Sequence, residues 1–424
     1  MKSERSKQLH PLLGRRLVDW PVEAVRGLAP DRLVVVTSPG TNDELADLGE
    51  LAVQAEARGT GDAAATGLDA LGDWDGDVLV LPGDAPLLTT EALAALVGAH
   101  RREGAAVTLL TIESEDPLPY GRVVRDGSGA VTRVVEERDA SEDERAIREL
   151  NASVYVFAAA DLRAGLDGLE ASNAQGELYL TDVVGRLVEA GRPVSALAAA
   201  DPDIARGVNT RADLAAVAAR LRDRVLHAHM LAGVTVVDPA TTWIEAGVEL
   251  EPDTVVQPFT VLCGSTVVRR GAEIGPHVVA EDAEIGPGAT VGPFAYLRPG
   301  AVLGADVKVG TYVEVKKSEI GARSKVPHLS YIGDAEIGED TNIAAGAITA
   351  NYRPERAGGK ERTKIGSNVH TGSDNVFVAP VVIGDNAWIG AGSTITEDVP
   401  PGALAIARAK QVNKKDYRGD ERDE

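Results

Sequence analysis

The segment Ile285-Gly-Pro-Gly-Ala-Thr-Val291-Gly-Pro-Phe-Ala-Tyr-Leu297-Arg-Pro-Gly-Ala-Val-Leu303-Gly-Ala-Asp-Val-Lys-Val309 decides the fold. Every sixth residue is aliphatic, and several are followed directly by glycine. The same step runs upstream through Leu250, Val256, Leu262, Val268 and Ile274, and downstream to Val315. One-residue slips separate Ile274 from Ile285, Val315 from Ile320 and Ile332 from Ile337, after which Ile343 follows. A last run reads Ile365, Thr371, Phe377, Ile383, Ile389, Ile395. A period of six is neither helical nor that of hairpin strands. It is the period of a hexapeptide solenoid, in which three short strands make one coil and the aliphatic residue points inward. Equivalent residues then stack one strand spacing apart, about 4.8 Å. The competing reading, a Gly-rich β domain with accidental spacing, has to produce roughly two dozen hexads by chance.

Outside this stretch the pattern changes. Residues 1–208 alternate short apolar runs (Leu33–Thr37, Val78–Leu81, Ala106–Thr111, Val154–Phe157) with Ala-rich helical patterns such as Glu91–Arg102 and Leu178–Ala190. That alternation predicts an α/β sheet with mainly parallel strands. Residues 209–232 carry a helical period, with Asn209 or Thr210 as cap, and form the expected linker helix. The solenoid occupies 233–408 and is interrupted at Tyr352–Lys364 by a charged excursion, the kind of insertion that maps to a binding face. Residues 409–424 are a charged tail.

Bulk properties bound the function. A chain of 424 residues holds two or three domains with ample core. One cysteine, Cys263, rules out an intrachain disulfide framework and suits a reducing cytoplasm. The net charge of −22 argues against nucleic acid and anionic membrane as partners. There is neither an apolar run near the about 20 residues of a membrane span nor an apolar stretch in the N-terminal MKSERSKQLHPLLGRRL that would make an export signal. Lysine is scarce, and none lies between Lys7 and Lys308, which singles out Lys7.

A β-solenoid is a scaffold, so chemistry must come from a site. The strongest candidate is Lys325-Val-Pro-His-Leu-Ser-Tyr331, with Arg298 and the Lys316-Lys317 pair on earlier coils. Residues about 18 apart stack in such a fold, so His328, Tyr331, Arg298 and Lys316 are expected along one edge. An imidazole amid cationic groups suits removal of a proton from an amine near an anionic substrate. The plain alternative makes His328 a surface turn residue.

These stretches resemble the bacterial family of bifunctional N-acetylglucosamine-1-phosphate uridyltransferases / glucosamine-1-phosphate N-acetyltransferases. In the C-terminal half the resemblance runs through GPFAYLRPGAVL, VEVKKSEIG, KVPHLSYIGDAEIG, Asn351-Tyr352, TGSDNVFVAPVVIG, WIGAGSTIT and DVPPGALAIAR. In the N-terminal half it runs through VQAEARGTGDA, LPGDAPLL, YGRVV, VVEERDA, ELNASVYVF, NAQGELYLTD and GVNTR. The resemblance implies a Rossmann-like nucleotidyltransferase domain, a linker helix and a left-handed parallel β-helix that assembles as a homotrimer with acetyl-transfer sites between subunits. It implies His328 as general base, and Arg298, Lys316, Tyr331 and Asn342 as holders of glucosamine-1-phosphate. Ala345, Asn351, Tyr352, Ser373, Ala391 and Arg408 match positions that line acetyl-CoA. In the uridyltransferase half, Asp84 and Asn209 match ligands of Mg²⁺. Lys7 matches a phosphate contact for UTP, Gln54, Gly59 and Thr60 match uridine contacts, and Gly121, Glu136 and Asn151 match contacts to N-acetylglucosamine-1-phosphate.

The chain departs from the pattern at Ser6 and Gln8, where Pro and Val are usual, and at Asp62 and Ser153, where His and Gly are common. Met1 aligns with the end of the family's opening strand and Gly-rich triphosphate loop, so that segment is missing from this chain and uridyl transfer is expected to be impaired. Three other readings stay open: an acetyltransferase with a scaffold nucleotidyl domain, a non-catalytic regulatory subunit, and a pyrophosphorylase with an idle solenoid.

Overall fold

The computed structural model describes residues 1–115, 119–355, 358–415 and 417, so parts of the 352–364 excursion and of the charged tail lie outside the described residues. The chain divides into two compact units, Met1–Leu221 and Arg222–Glu424.

The second unit is a three-faced prism of strands two to four residues long, paired in parallel from coil to coil. Its first face runs from Thr235–Val236 to Lys325–His328, then through Asn342 and His370–Thr371 to Leu404–Ala405. The second face has nine strands, from Trp243–Ile244 to Thr394–Ile395, and the third has eight, from Glu249–Leu250 to Val381–Ile383. The hexad residues are the core: Val256, Leu262, Val268, Ile274, Ile285, Val291 and Leu297 are all fully buried. Each such side chain stabilises the fold by about 1.5–3 kcal/mol on area grounds.

All three slips fall at one corner, the turn from the second face to the third. There Asp282, Lys317 and Asp334 adopt left-handed backbone, with φ of 46°, 46° and 49°. A residue in that conformation lets the corner close one residue sooner. The outward columns of the faces differ in chemistry. On the second face Trp243, Val261, Val279, Tyr296, Glu314, Tyr331 and Ile348 point outward, whereas on the third Glu249, Glu284, Glu319 and Glu336 share the column with Val267 and Val302.

In the first unit, strand β1 (Val34–Thr37) pairs in parallel with β2 (Glu50–Val53) as a separate two-stranded sheet. The larger sheet contains β3 (Asp77–Val80), β4 (Val107–Glu113), β5 (Arg122–Arg125), β6 (Val131–Val135), β7 (Glu149–Ala158) and β8 (Val194–Ala198). Helices α1 (Thr60–Ala70), α2 (Thr90–Glu103) and α3 (Leu180–Glu189) connect and cover these strands. The expectation of mainly parallel strands is corrected here. The ten-residue β7 runs antiparallel to β3, β4 and β5, and β5–β6 is an antiparallel hairpin, so only β8–β4 is parallel in this sheet. Apolar runs report burial, not direction: Val154, Val156 and Phe157 of β7 are fully buried whichever way it runs. Ser153, where glycine is common, sits at φ 56°, which explains the preference for glycine there.

Helix α4 (Arg211–Leu231) begins two residues later than expected. Thr210 is its cap: its hydroxyl accepts from the Asp213 N–H at 3.1 Å, and the Asp213 carboxylate accepts from the Thr210 N–H at 2.7 Å. Asn209 is thereby released for other contacts. No helix among the described residues is long and apolar enough to cross a membrane.

Candidate active sites

On the solenoid, the backbone of Pro327 and His328 approaches the coil below at Gly310, where a Cβ would clash with the Pro327 carbonyl. The corner between the first and second faces is therefore unusually tight under His328. One residue per coil stacks there. The Leu329 N–H donates to the Thr311 carbonyl, Gly346 to His328, Asp374 to Ala345, and Gly392 to Ser373, at 2.8–3.3 Å. His328, Ala345, Ser373 and Ala391 thus form one column, with the Arg408 side chain passing 3.8 Å from where a Gly392 Cβ would sit. The imidazole of His328 is exposed, and no side chain among the described residues hydrogen-bonds it. Next to this column, the corner below His328 is bulky and the corner above it is small. Phe259, His277, Phe294 and Tyr312 stack at centroid distances of 4.9, 4.6 and 5.3 Å and lead to Leu329. Gly346, Asp374 and Gly392 follow on the upper coils.

A second cluster lies at the short corner between the second and third faces. Arg298 and Lys316 each stand just past the buried residue of their strand. Arg298 donates to Glu314 Oε1 at 2.7 Å, and Glu314 holds its guanidinium protonated. The Tyr331 ring lies across Gly333, and the Asn351 Nδ2 stands 3.5 Å from its hydroxyl while also donating to Asp334. Contact with the Lys360 ammonium, then burial and Arg298, holds Lys316 below the usual lysine range. A cavity of about 490 Å³ opens beside them, lined by Lys317, Lys360 and Arg362 and also by the carboxylates of Glu319, Asp334 and Glu361. Adjacent cations in such a place suit a phosphate dianion. Lys360 was not singled out from sequence, because only the fold-back of the excursion, where Tyr352 bridges to Lys360, brings it to Lys316.

The expectation of one edge is corrected: the residues occupy two corners of the second face. His328 and Tyr331 are three extended residues apart, about 10 Å, which carries the chain from one corner onto the face itself. Asn342 lies on the outer surface of the first face, in register with Lys325 and His370, and Tyr352 is exposed on the excursion.

In the first unit three groups are tied together. Lys7 Nζ donates to Asp84 Oδ2 and, at 3.1 Å, to Asn209 Oδ1, and the Val208 N–H donates to the Asp84 carbonyl at 3.1 Å. Gln54, Gly59 and Thr60 gather at the start of α1. Gly59, at φ 118°, has no room for a side chain beside the Leu178 carbonyl, and Thr60 Oγ1 accepts from the Leu180 N–H at 3.0 Å. Gly121, Glu136 and Asn151 are also together: the Asn151 N–H donates to the Gly121 carbonyl at 2.8 Å, and a Gly121 Cβ would lie 3.5 Å from Glu136 Oε2. Burial raises the Glu136 carboxyl above its ordinary range, although it accepts from Thr181 Oγ1 at 3.1 Å. Segment 178–181 joins the second group to the third. Tyr120, another residue the sequence did not flag, joins the third to the first by accepting from the Gly207 N–H at 3.1 Å. Among the described residues no cluster of three or more His, Cys, Asp or Glu forms a metal cage. Asp84 and Asn209 nevertheless direct two oxygens at one cation, the Lys7 ammonium. An oxygen pair of this kind fits Mg²⁺, which takes one or two protein ligands plus substrate phosphates.

Comparison with known proteins agrees with this geometry. Residues 1–174 match the MobA-like NTP transferase domain, and residues 282–317 and 362–397 match the bacterial transferase hexapeptide (six repeats). The class is therefore a nucleotidyltransferase domain followed by a left-handed parallel β-helix of hexapeptide transferase type. The chain is 50% identical to bifunctional protein GlmU of Streptomyces avermitilis over 437 residues, spanning 97% of this chain and 90% of that protein. It is 49% identical to that of Streptomyces coelicolor, with the same shares covered, and 48% identical to that of Mycolicibacterium gilvum, covering 97% and 88%. The chain belongs to the GlmU family, bifunctional acetyltransferases and uridyltransferases of UDP-N-acetylglucosamine biosynthesis.

Proposed function

We propose that His328 is the general base of acetyl transfer and that the small-residue column above it carries the pantetheine arm of acetyl-CoA. The sugar amine attacks the thioester carbonyl, His328 takes the amine proton, and the C–S bond breaks to release CoA. Arg298 and Lys316, joined by Lys360, hold the phosphate of glucosamine-1-phosphate. Tyr331 and Asn342 meet the sugar hydroxyls. Ala345, Ser373 and Ala391 leave room for the arm, Asn351 and Tyr352, at the opposite corner of the second face, line it from another subunit, and Arg408 meets a phosphate of the cosubstrate. The observation that carries this reading is the shared corner column of His328, Ala345, Ser373 and Ala391, with the imidazole open. In a folded His328→Ala variant acetyl transfer is expected to fall by about 10²–10⁴, and an unchanged turnover would remove His328 from the reaction.

In the first unit Gln54, Gly59 and Thr60 take the uridine of UTP, and Gly121, Glu136 and Asn151 take the sugar of N-acetylglucosamine-1-phosphate. Asp84 and Asn209 would hold Mg²⁺, which supplies charge neutralisation for the triphosphate and the leaving pyrophosphate. Lys7, already on both oxygens, adds a phosphate contact. The domains are 1–208, 209–232 and 233–408, with a tail at 409–424. Uridyl transfer from UTP to N-acetylglucosamine-1-phosphate takes place at these three groups of the first unit. No Mg²⁺-dependent formation of UDP-N-acetylglucosamine would refute that.

The working form is a cytoplasmic homotrimer. Its support is the exposed aromatic and aliphatic corner of the second face, Phe259, Phe294, Tyr312 and Leu329, whereas the third face interleaves glutamates with valines. The residues divided between two corners also leave the acetyl site with an open wall for another subunit to complete.

A further inference from the structure

Gln54 follows the last residue of β2, and its N–H donates to the Thr37 carbonyl at the end of β1 at 2.8 Å. Its side chain therefore departs from the carboxyl ends of two parallel strands, where ligands bind in open α/β sheets. A carboxamide has one acceptor oxygen and an NH₂ with two donors. Both neighbours of the Gln54 amide are acceptors: the Gly59 carbonyl, 3.2 Å from Nε2, and Asp62 Oδ2, at 2.8 Å. Turning the amide over would set oxygen against oxygen, so the chemistry of its surroundings decides which end is which. Oε1 is left at the other end, and no group among the described residues donates to it.

Asp62 is the stronger of the two anchors, because a hydrogen bond to a carboxylate is roughly twice as strong as one between neutral groups. It is held in turn, in the first turn of α1 with the Arg58 guanidinium 3.8 Å away, and only 21% of its side chain is exposed. This is a position where the family commonly has histidine. A neutral imidazole can face an amide as donor or as acceptor, whereas a carboxylate only accepts.

We propose that Asp62 is a positioning residue for nucleobase choice: it locks the Gln54 carboxamide with its NH₂ turned away, so that an acceptor oxygen alone meets the base. Such an edge admits a base that offers an N–H, as uracil does at N3, and refuses cytosine, whose N3 is itself an acceptor. The inference rests on the reading of Gln54 as a base contact. Without Asp62 the Gly59 carbonyl is the one remaining anchor, and the two amide orientations approach parity. Discrimination is then expected to fall about tenfold, a small part of what a site built on hydrogen bonds can achieve.

The test measures Kd for UTP and for CTP, with Mg²⁺, in the 424-residue protein and its Asp62→Ala and Asp62→Asn variants. The wild type is expected to prefer UTP. The UTP:CTP ratio is expected to drop about tenfold in Asp62→Ala, and to drop in Asp62→Asn as well, since an amide at that position can donate to Oε1 and favour the turned-over form. A weakened phosphate site lowers both affinities alike and leaves the ratio readable. Variants that lose affinity for both nucleotides equally, or whose ratio stays within about twofold of wild type, overturn the proposal, because Asp62 would then be structural only. A wild type with no preference for UTP, or with no nucleotide binding, overturns the base-contact reading of Gln54 itself, and the inference with it. If Asp62→Ala melts early, the isosteric Asp62→Asn carries the test.

Discussion

Replacing Gly333 by alanine probes Tyr331 without touching it. A Cβ on Gly333 would meet the far end of the Tyr331 side chain, 2.5 Å from Cζ and 2.7 Å from Cε1, and its three nearest neighbours are all tyrosine atoms. The backbone at Gly333 is ordinary strand, so alanine costs nothing there in conformation and removes unfolded-state freedom, about 0.4–1 kcal/mol in favour of the fold. The ring is what gives way, by roughly 1 Å or more if ordinary contact distances are to be restored. Its hydroxyl then leaves Asn351, 3.5 Å away, and the place where a sugar hydroxyl would meet it. Loss of one neutral hydrogen bond is worth about 0.5–1.5 kcal/mol. The KM for glucosamine-1-phosphate is therefore expected to rise about 2–12-fold, with kcat little changed, since the interaction holds ground and transition states alike. Steady-state acetyl transfer on Gly333→Ala, Tyr331→Phe and the double variant gives a cycle in which the two losses overlap. An unchanged KM in Gly333→Ala, or strictly additive losses in the double variant, would refute the placement of Tyr331 against the substrate.

A glycine at the other corner behaves oppositely. Gly310→Ala puts a methyl against the Pro327 backbone, which cannot swing aside, and is expected to destabilise the solenoid by about 1–3 kcal/mol and to lower acetyl transfer by shifting His328; a denaturation midpoint equal to wild type would contradict this. Glu136→Gln is expected to stabilise the first unit at neutral pH. The sign follows from burial: the native carboxyl binds its proton more tightly than the unfolded one, so stability falls as pH rises from the ordinary glutamate range through the raised value. Urea unfolding of wild type and variant across pH 4–8 checks it, and a wild type that gains stability relative to Glu136→Gln over that interval would reverse the assignment. Phe294→Asp places a charge in the stacked aromatic corner and is expected to dissociate the assembly and reduce acetyl transfer together, as sedimentation and activity on one sample would report; an active, fully assembled variant would free that corner from any interface.

How much was legible depended on whether a residue's role was set by repetition or by fold-back. The hexads gave the prism directly, because each aliphatic residue is buried by its own neighbours at a fixed spacing, and the three slips turned out to mark the three shortened corners at Asp282, Lys317 and Asp334. The direction of β7 was not legible, since apolar runs carry no polarity. His328, Arg298, Lys316 and Tyr331 were singled out, but their division between two corners was missed: a stacking interval of 18 residues fixes height along the prism and says nothing of position around it. Lys360 and Tyr120 depend on contacts between distant segments, Lys316 with Lys360 and Gly207 with Tyr120, for which no local pattern exists. Asp62 was visible as a departure, but its effect on Gln54 needed the geometry.

The corner column above His328 has a further property. Each coil adds one fixed increment of height, so the rungs at Ala345, Ser373 and Ala391 are graduations on a ruler with its zero at the imidazole. Three increments of about 4.8 Å span roughly 14 Å, and the Arg408 side chain stands beside the last mark. On the proposed reading, a cosubstrate laid along this scale would be measured against it: its thioester would reach zero only when its other end coincides with the last graduation. Adding or removing one whole coil would leave every strand partnered and every hexad buried, yet it would shift the far mark by a full division. If the column carries the pantetheine arm as proposed, coil count is a functional quantity in this fold, set by the length of a small molecule and not by the stability of the prism.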